Sequence, residues 1–183
     1  FNTYSFFSLY ANIDKFKFTG DNFNIEKLDK LDKWILSELN TLILNCSKNF
    51  DAFEPTKVCR DIQFFVVNKL SNWYVRLSRR KFWKGEYNEG KVSAYQTLYE
   101  CLEKVAIISS PVIPFYSNRL FNDLNKISKR HKIESVHLAS FPNASLEIIN
   151  KKLENQMSIA QEVTSMILSL RKQEKIRVRQ PLP

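Results

Sequence analysis

The densest group of side chains able to do binding chemistry lies between Arg76 and Lys84, where five cations and an indole occur with no carboxylate. Helical spacing places Arg76, Arg79, Arg80 and Trp83 along one side, and assigns Trp73 and Leu77 to the core. Arginine forks bind phosphate, and an indole stacks on a base or sugar. The pattern predicts RNA-binding residues, with a solvated, dipole-complementing helix end as the alternative: Arg76, Arg79, Arg80, Lys81, Trp83 and Lys84.

A second basic run, residues 171–179, carries five cations and one acid, Glu174. The alternation of Arg177, Val178 and Arg179 predicts an extended segment with both arginines on one side. Two interpretations stay open at this run, a solvated helix end and a second RNA-binding set. The candidate residues of that set are Arg171, Lys172, Lys175, Arg177 and Arg179.

Catalytic chemistry is not predicted anywhere in the chain. The closest glycines, Gly85 and Gly90, do not form a phosphate loop, and no carboxylate pair or nucleophile with a base stands out. His131 and His137 are isolated and no Cys-x-x-Cys pair exists, so we predict no metal site, no catalytic residue and no cofactor. Three widely spaced cysteines are typical of a reducing compartment, and we assign them to the core: Cys46, Cys59 and Cys101.

Composition favours a polyanionic partner. The 183 residues include 28 Lys and Arg against 19 Asp and Glu, a net charge of +9. Nucleic acid is the first candidate and an anionic membrane the second. No apolar run approaches the roughly 20 residues that span a bilayer, so we expect a soluble protein.

The elements that must position these residues are predicted to be helices. Apolar residues from about Ile25 to Cys46 form one stripe, and a long second helix runs from Pro55 to Gly85. A third lies between Gly90 and Pro111, and a short fourth between Pro114 and about Lys126. Residues 127–142 are predicted to be a loop with one extended segment. The prediction is an all-α bundle of about five helices, connected up and down.

The fifth predicted helix begins at a cap on Asn143 and carries an apolar stripe from Leu146 to Leu170. Residues 1–20 are rich in Phe and Tyr, and are expected to pack on this bundle or on a missing neighbour. Three further aromatic residues are assigned to the core: Trp34, Phe64 and Phe65.

Five segments are similar to isoleucyl-tRNA synthetases, in the same order, and together span almost the whole chain. They are NTYSFFSLYANID (residues 2–14), LDKWILSELN (31–40), LSNWYVRLSRR (70–80), SAYQTLYE (93–100) and IRVRQPL (176–182). The third and fifth are specific to this family. The second also occurs in valyl enzymes, so it does not separate the two.

This resemblance implies the anticodon-binding bundle of a class I ligase that charges tRNA(Ile) with isoleucine, using ATP and Mg. The HIGH and KMSKS signatures of the catalytic domain are absent from these residues, so the segment itself is expected to be non-catalytic. Residues 1–24 would connect to a preceding catalytic domain. Residues 25–183 would form the anticodon-binding domain, truncated before a further C-terminal module.

The same resemblance implies a cytoplasmic, monomeric protein whose partner is tRNA(Ile), with no DNA or membrane partner. The main alternative from another class is a helical protein-interaction module whose basic face recruits an acidic partner. The equivalent domain of a valyl-tRNA synthetase is a second alternative. Peripheral membrane attachment ranks last, because the apolar stripes are needed for the core.

Overall fold

Every regular element is helical in a computed structural model that describes residues 1–18, 25–84 and 86–181. The all-α prediction is therefore confirmed, and no strand occurs within those ranges. The helices are α1 (Asn2–Ile13), α2 (Lys30–Asp51), α3 (Pro55–Phe64), a π segment (Phe65–Val75), α4 (Arg76–Trp83), α5 (Glu89–Ser109), α6 (Pro114–Ser128) and α7 (Lys151–Gln173). Three short 3₁₀ turns lie between them, at Ile25–Lys27, Val136–Leu138 and Leu146–Ile148.

Helix α2 is the first predicted helix, and it begins where a side chain can cap it. Asp29 accepts a hydrogen bond from the Asp32 amide at 2.8 Å, which satisfies a free backbone donor of the first turn. The predicted apolar stripe is buried along α2, although Leu31 is only half-buried. The first helix is confirmed with this later start.

The second predicted helix is also confirmed, because α3, the π segment and α4 follow one another without a break from Pro55 to Trp83. Its predicted buried face is wrong beyond Leu70. Leu77 is 52% exposed and Trp73 only half-buried, whereas Tyr74 and Phe82 are fully buried. In a π segment the hydrogen bonds span five residues, so each turn holds more residues and the buried face falls later in the sequence.

Helix α5 lies at the centre of the bundle and contacts α1, α2, α4 and α6. Residues on all sides of it are buried, including Tyr95, Leu98 and Tyr99 of the predicted stripe. Helices α5 and α6 match the third and fourth predicted helices.

The aromatic N-terminal stretch packs on this bundle, which decides between the two neighbours left open by the sequence. Phe7 and Phe16 are buried, and the Phe16 ring stacks on Tyr95 with centroids 5.0 Å apart. Asp14 pairs with Lys91 Nζ at 2.7 Å and accepts a hydrogen bond from the Tyr95 hydroxyl at 2.5 Å. Residues 19–24, the remainder of the predicted connection, lie outside the described residues.

The fifth helix is present, but its predicted start is wrong. Residues after Asn143 form only the short Leu146–Ile148 turn, and Ile149 is extended with φ −69° and ψ 114°, which interrupts any helix. The cap is Asn150, whose side chain accepts from the Leu153 amide at 3.0 Å. The expected extended segment in residues 127–142 is replaced by the Val136–Leu138 turn.

The chain divides into two compact units, Phe1–Ile149 and Asn150–Pro183. All buried apolar residues of the described ranges belong to the first unit. Helix α7 has no buried residue, so its predicted stripe is not part of a core, unlike the stripes of the other long helices.

Two further core assignments are wrong. Phe64 is 55% exposed on α3, and Cys59 is exposed on the same helix, whereas Trp34, Phe65, Cys46 and Cys101 are buried as predicted. In the described ranges no helix is both long enough and apolar enough to cross a bilayer.

Candidate nucleic-acid interface

The basic face of α4 consists of Arg76, Arg79, Arg80 and Trp83, and all four side chains are exposed. These positions are separated by three or four residues of regular α-helix, so they share one side. Phe82 and Ser78 occupy the opposite, buried side. Lys84 follows as the exposed C-cap, in extended conformation, with its amide bonded to the Arg80 carbonyl. The predicted alignment is thus present.

Lys81 is separate from the basic face and pairs within the protein. Its ammonium group contacts Asp29 Oδ2 and lies 3.5 Å from Asp32 Oδ2. Asp32 is buried and accepts a hydrogen bond from the Tyr74 hydroxyl at 2.6 Å. Lys81 therefore ties α4 to the start of α2.

Burial raises the pKa of Asp32 to about 6, since water no longer stabilises its charge. The Tyr74 hydroxyl and the Lys81 charge oppose that increase. Around the start of α2, the pKa of Asp29 is held below its usual value, because the hydrogen bonds from Lys81 and the Asp32 amide outweigh the effect of burial.

An aromatic residue of α1 completes the basic face. The Arg79 guanidinium lies 5.8 Å from the centroid of the Phe6 ring, at cation–π distance. Phe6 is itself held edge-on against buried Phe82, with centroids 5.2 Å apart. Sequence reasoning did not select Phe6, because its partner is about 70 positions later and no local pattern joins the two.

The second basic run belongs to the Asn150–Pro183 unit and forms a turn. The expected extended segment is wrong, because the Gln180 amide donates to the Arg177 carbonyl at 3.0 Å. Arg171 donates to the carbonyls of Arg177 and Gln180, both at 2.9 Å. Its guanidinium folds the chain end back on α7. The remaining cations of the run are exposed: Lys172, Lys175, Arg177 and Arg179.

Binding is the chemistry that these surfaces can perform. Residues 1–18, 25–84 and 86–181 contain no group of three His, Cys, Asp or Glu side chains that could hold a metal ion. Exposed guanidinium groups beside an exposed indole match a phosphate backbone with an unpaired base or sugar next to it.

Comparison with known proteins identifies the family to which the chain is similar. The family model described as the anticodon-binding domain of tRNA ligase matches residues 32–183. The chain is similar to the isoleucine–tRNA ligases of Cytophaga hutchinsonii (51% identical over 181 residues), Bacteroides thetaiotaomicron (50% over 182 residues) and Dehalococcoides mccartyi strain CBDB1 (44% over 181 residues). These alignments cover 99%, 100% and 99% of the chain, but only 16%, 16% and 18% of the respective relatives.

Proposed function

This chain belongs to the family of anticodon-binding domains of tRNA ligases, and we propose that the basic face of α4 holds the backbone of the anticodon stem-loop. The observation that carries the proposal is the alignment of three exposed arginines and an exposed indole on one helix side. Phosphate contacts fix the register and orientation of a nucleic acid without reading its sequence. The face would therefore position the stem.

The individual side chains have different tasks in this proposal. Arg76 and Arg80 donate to phosphate oxygens, and Arg79 does so while its guanidinium packs over Phe6. Trp83 offers a flat surface to a sugar or an unpaired base. Lys84 adds a cation at the helix end, whereas Lys81 positions α4 through its acidic partners on α2.

We propose that the parent protein is an isoleucine–tRNA ligase, which activates isoleucine with ATP and Mg and charges tRNA(Ile). The name shared by the similar proteins and the coverage of nearly the whole chain support this proposal over the valyl alternative. The protein interaction module is not supported by the family match. Charging would take place in parts of the parent outside these residues, since the chain spans about a sixth of the length of its relatives.

The domain boundaries and the setting are part of the same proposal. Residues 1–24 would connect to a catalytic domain and residues 25–183 would bind tRNA, with the domain acting as a monomer in the cytoplasm. The exposed cations Lys172, Lys175, Arg177 and Arg179 would add a second phosphate-binding surface, and Arg171 would hold the turn that carries it.

Salt-titrated binding to an isoleucine tRNA tests the proposal. Changing Arg76, Arg79 and Arg80 together to Ala should weaken binding. It should also make the negative slope of the logarithm of the association constant against log salt shallower by roughly three, about one for each phosphate that an arginine no longer neutralises. The matched control changes Lys17, Lys126 and Lys132 to Ala, which removes three exposed charges from other surfaces.

Equal decreases in affinity for the two triple variants would mean that only net charge matters, and would overturn the assignment to α4. Binding that ignores the arginine variant would do the same and would direct attention to the Asn150–Pro183 unit. Lower affinity for an unrelated tRNA would further indicate that base recognition resides in this chain.

A further inference from the structure

A groove between α2 and α3 has the features of a second binding site, away from the basic face of α4. It consists of two hollows, of about 320 Å³ and about 160 Å³, which share Asn45 and Asp61 in their walls. The larger hollow alone reaches the lower limit of ordinary ligand pockets. Its walls are formed by Asn45, Lys48, Asn49, Lys57, Arg60 and Asp61.

Helical spacing explains why these side chains face one another. Asn45, Lys48 and Asn49 are three or four residues apart on α2, and Lys57, Arg60, Asp61 and Phe64 follow the same spacing on α3. A hydrogen bond spans the groove, from the side-chain Nδ2 of Asn49 to Asp61 Oδ2 at 3.1 Å. The wall positions are therefore fixed by two packed helices and not by a loop.

Charge is unevenly distributed along the groove. Lys48, Lys57 and Arg60 line the larger hollow with Asp61 as its acid, while the smaller hollow contains Glu38, Asp61 and Lys69. Two of these cations have acidic partners, Lys57 with Glu54 at 3.3 Å and Lys69 with Glu38 at 3.0 Å. One end thus suits an anion, and the other suits a hydrogen-bond donor.

Phe64 supplies a flat surface in the smaller hollow. The residue is 55% exposed, although aromatic usage in helical bundles assigned it to the core. The Lys69 ammonium lies 5.7 Å from the ring centroid, and it is itself held by the ion pair to Glu38. Phe64 thus lies in a hollow that adjoins the cationic one through the shared residues Asn45 and Asp61. A stacking surface next to a cationic region suits the base and the phosphate of one nucleotide.

We propose that this groove binds one unpaired nucleotide of an RNA loop, with its phosphate at Lys48, Lys57 and Arg60 and its base stacked on Phe64. Asp61 accepts a hydrogen bond from an exocyclic amine, as carboxylates do from cytosine N4. The groove therefore favours cytosine over uracil, which lacks that amine. This inference rests on the proposed RNA-binding function and adds a base-selective site to it.

The test uses the whole chain, ¹⁵N-labelled, titrated with the trinucleotides rCCC and rUUU. Binding of rCCC should move the side-chain amide signals of Asn45 and Asn49. The Kd for rUUU should be higher than that for rCCC by at least about fivefold. Phe64→Ala should raise the Kd for rCCC roughly tenfold, the effect of removing one stacked base. Asp61→Ala should make the affinities for rCCC and rUUU equal, a change that a merely structural role of Asp61 would not produce.

Phe53→Ala is the matched control for Phe64→Ala, because Phe53 is 92% exposed and does not line the groove. Arg60→Gln should weaken the binding of both trinucleotides. Its matched control is Lys126→Gln, which removes an exposed charge outside the groove. The proposal is overturned if rCCC leaves the Asn45 and Asn49 signals unmoved, or if Phe64→Ala binds rCCC as the unaltered chain does.

A base-paired RNA duplex separates this inference from the proposed function. The Phe64, Asp61 and Arg60 variants should bind the duplex as the unaltered chain does. The triple arginine variant of α4 should lose affinity for the duplex and should still bind rCCC. If the α4 variant loses affinity for the duplex but the unaltered chain does not bind rCCC, the groove proposal is wrong and the proposed function is still supported.

Discussion

Lys81 illustrates why a cation counted in a sequence is not always a cation offered to a partner. It lies within the run from Arg76 to Lys84, yet its ammonium group contacts Asp29 and Asp32. Those acids are about 50 positions earlier, so a search for acids within the run could not find them. The exposed arginines of the same run were predictable, because they follow the local helical spacing.

Asp32 should make stability depend on pH in an unusual direction. Its pKa is raised from 3.8 to about 6 in the folded protein, so between these values the folded state binds more protons than the unfolded chain. This carboxyl group should therefore lower the free energy of unfolding as pH rises from 4 to 7, by up to about 3 kcal/mol.

Urea denaturation of the unaltered chain and of Asp32→Asn, each at pH 4 and pH 7.5, measures that contribution, because titrating groups that do not interact with Asp32 contribute equally to the two proteins. The stability of the unaltered chain relative to the variant should fall at the higher pH. A difference that is the same at both pH values would show that the pKa of Asp32 is not raised.

At the scale of helices, periodicity predicted where most elements lie, but not which face of the long second helix is buried. The stripe of α2 follows from a regular helix and was correct. From Phe65 to Val75 the π segment changes the number of residues per turn, and the buried face passes to Tyr74 and Phe82. A fixed helical period cannot anticipate such a change, so Trp73 and Leu77 were assigned wrongly.

A pair of substitutions tests this register. Phe82→Ala should lower the free energy of unfolding by about 3–5 kcal/mol, because it removes a buried ring that packs against Phe6 and Tyr95. Leu77→Ala, at an exposed position, should change it by no more than about 0.5–1 kcal/mol. Chemical denaturation of both variants decides the matter, and the reverse order would restore the face that the sequence predicted.

The packing of α1 on α5 depends on the ion pair between half-buried Asp14 and buried Lys91. Lys91→Met should destabilise the chain by about 1–3 kcal/mol, because it leaves the Asp14 carboxylate with the Tyr95 hydroxyl but without its cation. Adding Asp14→Asn should recover most of that stability, since neither charge then remains. Thermal unfolding of the two single variants and the double variant forms the cycle, and strictly additive effects would contradict a direct pairing.

At the scale of the whole molecule, the sequence predicted a helix over most of α7 but not how exposed its apolar residues are. The stripe from Leu153 to Leu170 has the spacing of a core face, yet Ile159, Met166 and Leu170 are each more than half exposed. Periodicity reports that a helix has an apolar side, and it does not report which surface covers that side. The sequence therefore predicted the helix, but not that none of its residues is buried.

A chain ending at Ile149 should fold on its own, because every buried apolar residue of the described ranges lies within Phe1–Ile149. We expect it to unfold cooperatively in urea, with the same midpoint as the 183-residue chain. Circular dichroism measures the unfolding of both chains. A chain ending at Ser128 is the control, since it also lacks buried Val136 and the ion pair from Arg130 to Glu103 at 2.7 Å, and should show no sharp transition. If ending the chain at Ile149 broadens the transition as much as ending it at Ser128, then the first unit requires the Asn150–Pro183 unit for its stability.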